Sequence, residues 1–198
     1  MGLPAKFARM FMRISAGVWL AALLATGAPP SASSAEGKKA NPAKPPEILM
    51  RDAALPAPVA RMRDAILEAA RGGDIEAMRP VLESNELRPV VSFGGGQDAI
   101  RYWKENSATG DGREILAAMI EVLEMPAAHV HAGAPEEMYV WPYLAELELE
   151  KLTPAQQVDL YRLVTPETAK TMKDFGGYIH YRLGIGRDGT WHFFVAGD

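Results

Sequence analysis

The chain has no cysteine in its 198 residues. That excludes disulfides, thiolate metal ligands, thiol nucleophiles and a lipid attached through cysteine. Basic charge is short as well. Three of the 21 Lys and Arg lie in the first 35 residues, leaving 18 against 25 Asp and Glu, so the rest of the chain is near −7. That balance argues against nucleic acid or anionic lipid as a partner, since both want a basic face. Long apolar runs are scarce: Ile14 to Ala28 stops short of the ~20 residues that span a bilayer. No Gly-x-Ser-x-Gly elbow occurs, so the usual hydrolase signature is missing.

What is present begins with an address. Lys6, Arg9 and Arg13 precede the apolar run, and Ser33-Ser34-Ala35 follows it with small residues at −3 and −1 of a cut before Glu36. This order is that of a secretory signal peptide over residues 1–35. A retained anchor is the alternative, and cleavage leaves no stable membrane span. The expected location is periplasmic or secreted. Residues 36–47 (EGKKANPAKPPE) are polar and proline-rich, without an apolar period, and read as a disordered tether. Residues 48–198 are then long enough for one domain with its own core.

Within that domain the pattern is α+β: helices packed on a mainly antiparallel sheet. Val59, Met62, Ile66, Leu67 and Ala70 have helical spacing, stopped by Gly72-Gly73. Asp74 can cap a segment that Pro80 should kink or shorten. Val90 to Phe93 reads as a short strand before Gly94-Gly95-Gly96, and Gln97 to Asn106 as a short helix. Asp111 to Glu124 is the strongest helix, with Asp111 and Glu114 at capping-box spacing. Ala128–His131 and Met138–Trp141 are extended and joined by a turn near Gly133. Thr153-Pro154 and Thr165-Pro166 start two more helices.

A hairpin ends the chain, Tyr178–Gly186 and Thr190–Ala196. A three-residue loop with Gly189 left-handed pairs Ile185 with Trp191, Leu183 with Phe193 and Tyr181 with Val195. That register gives one apolar face. The opposite face then carries Tyr178, His180, Arg182, His192 and Phe194.

The stretch Ala69 to Met78 (AARGGDIEAM), then Phe93-Gly94-Gly95-Gly96, Tyr102-Trp103, Trp141-Pro142-Tyr143 and the ending Trp191 to Asp198 (WHFFVAGD), resembles a group of uncharacterised exported proteobacterial proteins. Members of that group often carry a bacterial SH3-like module before the last strand. Here Leu144 to Gly177 reads as two helices instead, so no SH3-like function carries over. The resemblance implies export. The element order is also loosely similar to NTF2-like cone folds, an analogy that does not fix function.

Candidate chemistry is sparse, and the catalytic residues are unknown. His129 and His131 sit two apart on an extended segment and could begin a metal site, with Glu136, Glu137 or His180 to complete it. The bland reading is two solvated histidines, so no metal is expected, and no pattern calls for a cofactor. Phe93 to Asp98 lacks the Gly-Lys-Ser/Thr ending of a phosphate loop and reads as a tight bend. Tyr139, Trp141 and Tyr143 alternate as core aromatics do. The face with Tyr178, His180, Arg182 and His192 holds the ligand-binding candidates. Alternation alone makes it a solvated face. Helices laid over it would make it a polar pocket, suited to a small anionic ligand. The expected function is non-catalytic binding of an envelope protein or a small ligand. The alternative is a small pocket enzyme of NTF2-like type with His180 or His192 as general base.

Overall fold

The computed structural model describes residues 45–49, 55–94, 96 and 98–197. The signal peptide and most of the tether lie outside the described residues. Among the described residues six α-helices pack against a five-stranded antiparallel sheet, as the α+β pattern predicts. The strands are β1 (Glu47–Leu49), β2 (Ala127–Val130), β3 (Met138–Trp141), β4 (Arg182–Gly186) and β5 (Trp191–Val195), side by side in chain order. Glu47, expected to close the tether, instead opens β1, where it lies opposite His129.

The first helical layer follows its apolar stripes. Helix α1 (Ala57–Arg71) buries Val59, Ile66, Leu67 and Ala70. A 3₁₀ turn (Ile75–Ala77), capped by Asp74, leads into α2 (Met78–Ser84), so Pro80 sits in a first turn where its missing N–H costs nothing. Helix α3 (Ala99–Asn106) is capped by Asp98 and buries Ile100 and Trp103. Helix α4 (Arg113–Leu123) buries Ile115, Met119, Val122 and Leu123, residues at helical spacing. Arg63 of α1 is buried and donates from Nε and Nη2 to the Leu123 carbonyl at 3.0 and 2.7 Å. A cation at that carbonyl satisfies an orphan acceptor of the α4 C-terminus.

The capping box expected for α4 does not form. Gly112 is the N-cap, and Asp111 accepts from the Arg113 amide at 3.0 Å. Glu114 turns back to the preceding loop, where the Ser107 hydroxyl donates at 2.8 Å and the Thr109 hydroxyl at 2.7 Å. Burial pushes the Glu114 carboxyl up, but those hydroxyls and the backbone amides outweigh it and hold the pKa at about 2.

The second layer lies on the other face. Helix α5 (Pro154–Leu163) begins with a complete capping box, the Thr153 amide donating to Gln156 at 2.8 Å and the Gln156 amide to Thr153 at 3.3 Å. Helix α6 (Pro166–Phe175) is capped by Thr165. With 3₁₀ turns at Tyr143–Glu146 and Leu149–Lys151, these helices enclose Ala128, Val130, Val140, Leu144, Leu160 and Met172. The second face of β2 and β3 is therefore covered, and Tyr178 and Phe194, expected on a solvated face, are both buried.

The terminal hairpin shows why. Its loop has the predicted length, with Gly186 N–H donating to Thr190 O at 2.8 Å and Gly189 at φ +94°. Pro58 O would lie 2.9 Å from any Cβ at Gly189, so the loop tip fits against α1 only without a side chain. Ile185 meets Trp191 as expected. Beyond that pair the register shifts: Gly184 faces Phe193 and Leu183 faces Phe194. His192 is the extra residue of a β-bulge, which inverts the facing of everything after it. Phe194, expected outside, is fully buried in the first core, while Phe193 packs partly buried against the second. Strand β4 begins at Arg182, not Tyr178.

Candidate functional site

The bulge and the late start of β4 divide the four predicted ligand-binding residues. Tyr178 is buried in the second core, and its hydroxyl donates to Tyr181 O at 3.3 Å. Arg182 Nη1 donates to Tyr178 O at 3.3 Å. The His180 ring lies edge-on to Tyr178 and Tyr181, with centroids 6.5 and 5.4 Å apart. Burial pushes the His180 pKa down and the Tyr178 pKa up. Tyr178, His180 and Tyr181 form an aromatic corner just before β4, with Arg182 against it. His192 lies at the other end of the strand, beside Gly186 and Asp188. The structure therefore does not bring the four residues into one site.

A polar groove of about 530 Å³ runs between the β2–β3 turn and the β4–β5 loop, lined by Gly133, Pro135, Glu137, Arg187, Asp188 and His192. Its carboxylates are turned inward. Glu137 accepts from the Gly133 amide at 2.9 Å and lies 2.9 Å from His129 Nε2 and 3.2 Å from Arg187 Nη1. Gly133, His129 and Arg187, in that order, hold its carboxyl below the ordinary range. Asp188 accepts from the Thr190 amide at 2.9 Å, which lowers its pKa too.

The metal candidates part here. His129 stays in β2 with its ring stacked on Tyr139, centroids 4.5 Å apart. His131 has left the strand at φ +53°. Among the described residues no group of three His, Cys, Asp or Glu could hold a metal ion. Tyr139 and Trp141 are core residues, while Tyr143 enters the second core and donates to Asp159 at 2.9 Å.

The feature that composition concealed is a strap over the outer edge of β5. Val90 to Phe93, predicted as a strand, makes only one parallel bridge, Val90 to Phe193. Val90 N–H donates to His192 O at 2.8 Å and Phe194 N–H to Val90 O at 2.9 Å. Asn85 clips the same edge with its side chain: the Trp191 amide donates to Oδ1, and Nδ2 donates to Trp191 O, both at 2.8 Å. One amide side chain thus takes the place of a strand residue. Val91 turns into the core, whereas Leu87, Val90 and Phe93 are 55%, 48% and 63% exposed. Only the Ser84-Asn85 turn character hinted at this in the sequence; the edge it clips is over a hundred residues away.

Compared with known protein families, curated proteins and solved structures, the chain matches none. No helix among the described residues is long and apolar enough to cross a membrane.

Proposed function

We propose that residues 1–35 export this chain and that the remainder works in the periplasm or outside the cell as a non-catalytic binding protein, taking a protein partner on the strap at residues 85–94. The observation that carries this reading is the concentration of three exposed large apolar side chains, Leu87, Val90 and Phe93, within seven residues fastened to a sheet edge. Exposed apolar side chains held on a rigid scaffold are what protein interfaces use. The chemistry elsewhere supports binding over catalysis. His180 is in ring contact with tyrosines, and among the described residues no carboxylate orients it. The carboxylates near His192 are engaged elsewhere, Asp188 by the Thr190 amide and Glu137 by the Gly133 amide, His129 and Arg187.

The test is cross-linking in envelope extract with the wild type, a Leu87→Ser/Val90→Ser/Phe93→Ser variant, and a Val158→Ser/Tyr161→Ser control on exposed α5. The expected result is a cross-linked species formed by wild type and control and lost with the strap variant. The same species with all three proteins would overturn the strap assignment. Intact mass of the exported chain checks processing, with cleavage expected between Ala35 and Glu36.

A further inference from the structure

We propose that Glu47, His129 and Glu137 form a pH-set latch that fastens β1, the strand joining the domain to its amino-terminal segment, more tightly as the medium acidifies. Besides this contact, strand β1 is held by its three-residue ladder with β2 and by Ile48 and Leu49, each packed at the margin of one core. It is three residues long, lies at the sheet edge, and only half-buries Ile48 and Leu49. Glu47 and His129 face each other across the ladder, and Glu47 Oε2 lies 3.6 Å from His129 Nδ1. On its other side, His129 Nε2 lies 2.9 Å from Glu137 Oε1. The His129 side chain is 14% exposed and that of Glu137 9%, while Glu47 is open to water.

The direction follows from donor chemistry. Glu137 is ionised, being fixed by the Gly133 amide and Arg187, and a carboxylate only accepts. It therefore keeps the single proton of a neutral His129 on Nε2. Nδ1 then presents a lone pair to the Glu47 carboxylate, acceptor against acceptor, and the latch is open. Protonation of the ring puts a second proton on Nδ1, and Glu47 gains both a donor and an opposite charge. The latch is closed when the His129 ring carries both protons and Glu47 is a carboxylate.

The groups facing this imidazole come from each neighbouring element: Glu47 on β1, Glu137 and Tyr139 at β3, and Arg187 after β4 through Glu137. His131 and Glu146 line the adjoining cleft with Pro45 and Pro46. Burial raises the Tyr139 pKa, so that ring stays neutral throughout. Of the two histidines here, only His129 touches both carboxylates.

Because the chain has no cysteine, Pro45→Cys in the full chain gives a single attachment point for a nitroxide spin label. Its spectrum reports mobility next to β1 with no pH-dependent chemistry of its own. Between pH 8 and pH 5.5, the ratio of immobile to mobile label should rise about two- to fivefold, the effect of one exposed ion pair. Glu47→Gln and His129→Gln should each flatten the response, and His131→Gln should leave it intact. A flat wild-type response would overturn the latch. So would a response that survives Glu47→Gln, or one that disappears with His131→Gln. Glu47 is exposed, so its variant keeps the fold and the test does not depend on the buried histidine.

Discussion

On one face of the sheet Trp103 and Trp191 stack with centroids 6.1 Å apart, Phe194 meets Trp103 edge-on at 6.2 Å, and Tyr181 stacks on Phe194 at 4.8 Å. On the other face β4 presents Arg182, Gly184 and Gly186, and the ring of Phe193 lies over Gly184. One five-residue strand, β5, supplies both Phe194 and Phe193. The bulge at His192 sends one inward to a close-packed aromatic core and leaves the other as a partial lid over bare backbone. Two adjacent residues of one type thus have different energetic roles, set by a register slip of one position.

Phe194→Ala against Phe193→Ala in urea denaturation separates the two rings most strongly. Phe194→Ala should cost about 3–5 kcal/mol, and Phe193→Ala about half as much because its ring is only partly buried. Equal costs would mean that the register shift is wrong. Gly184→Ala comes next. A Cβ there would collide with the Phe193 ring and sit 2.7 Å from Met138 Sδ, so overpacking should cost about 1–3 kcal/mol. Adding Phe193→Leu should recover most of that loss in a double-mutant cycle, since the two sites share one contact.

Asn85→Ala should cost about 1 kcal/mol. It strips both partners from the Trp191 backbone, but water can reach that edge. A further expected effect is one of pH. The folded-state pKa of Glu114 is lowered to about 2, so its contribution is full above the unfolded value and is lost as pH falls from the ordinary glutamate range toward 2. Glu114→Gln should therefore flatten that stretch of the stability–pH curve and leave the curve above pH 6 parallel to wild type.

Much of the fold was legible because its signals are local. Thr153 and Thr165 announce their helices through side chains that reach only three residues ahead, and the stripes of α1 and α4 repeat within single helices. The misreadings are all distant or competitive. Alternation assigned Phe193 to the core because a bulge leaves no composition of its own; Gly184 and Gly186, two apart in β4, were the available sign that a ring crosses there. Val90 to Phe93 has strand-like residues, yet it lies where Asn85 and Val90 fix it to β5 at single points. Glu114 has capping-box spacing, but the hydroxyls of Ser107 and Thr109 compete for it. Of the candidate site, the residue types were legible and their grouping was not, since Tyr178 and His192 look like one face until the bulge is known.

The Asn85 clip has a consequence at the scale of many molecules. A strand at the end of a sheet offers unpaired N–H and C=O groups to any passing chain, and proteins suppress this with charge, proline or a covering segment. Here Trp191 is the residue on that edge whose amide and carbonyl are both taken by a side chain. Replacing Asn85 by an apolar residue would uncover the Trp191 N–H and C=O for pairing with a neighbouring copy, while Val90 still covers His192 and Phe194. Asn85 thus helps decide whether the sheet ends within one molecule or becomes the seed of a polymer.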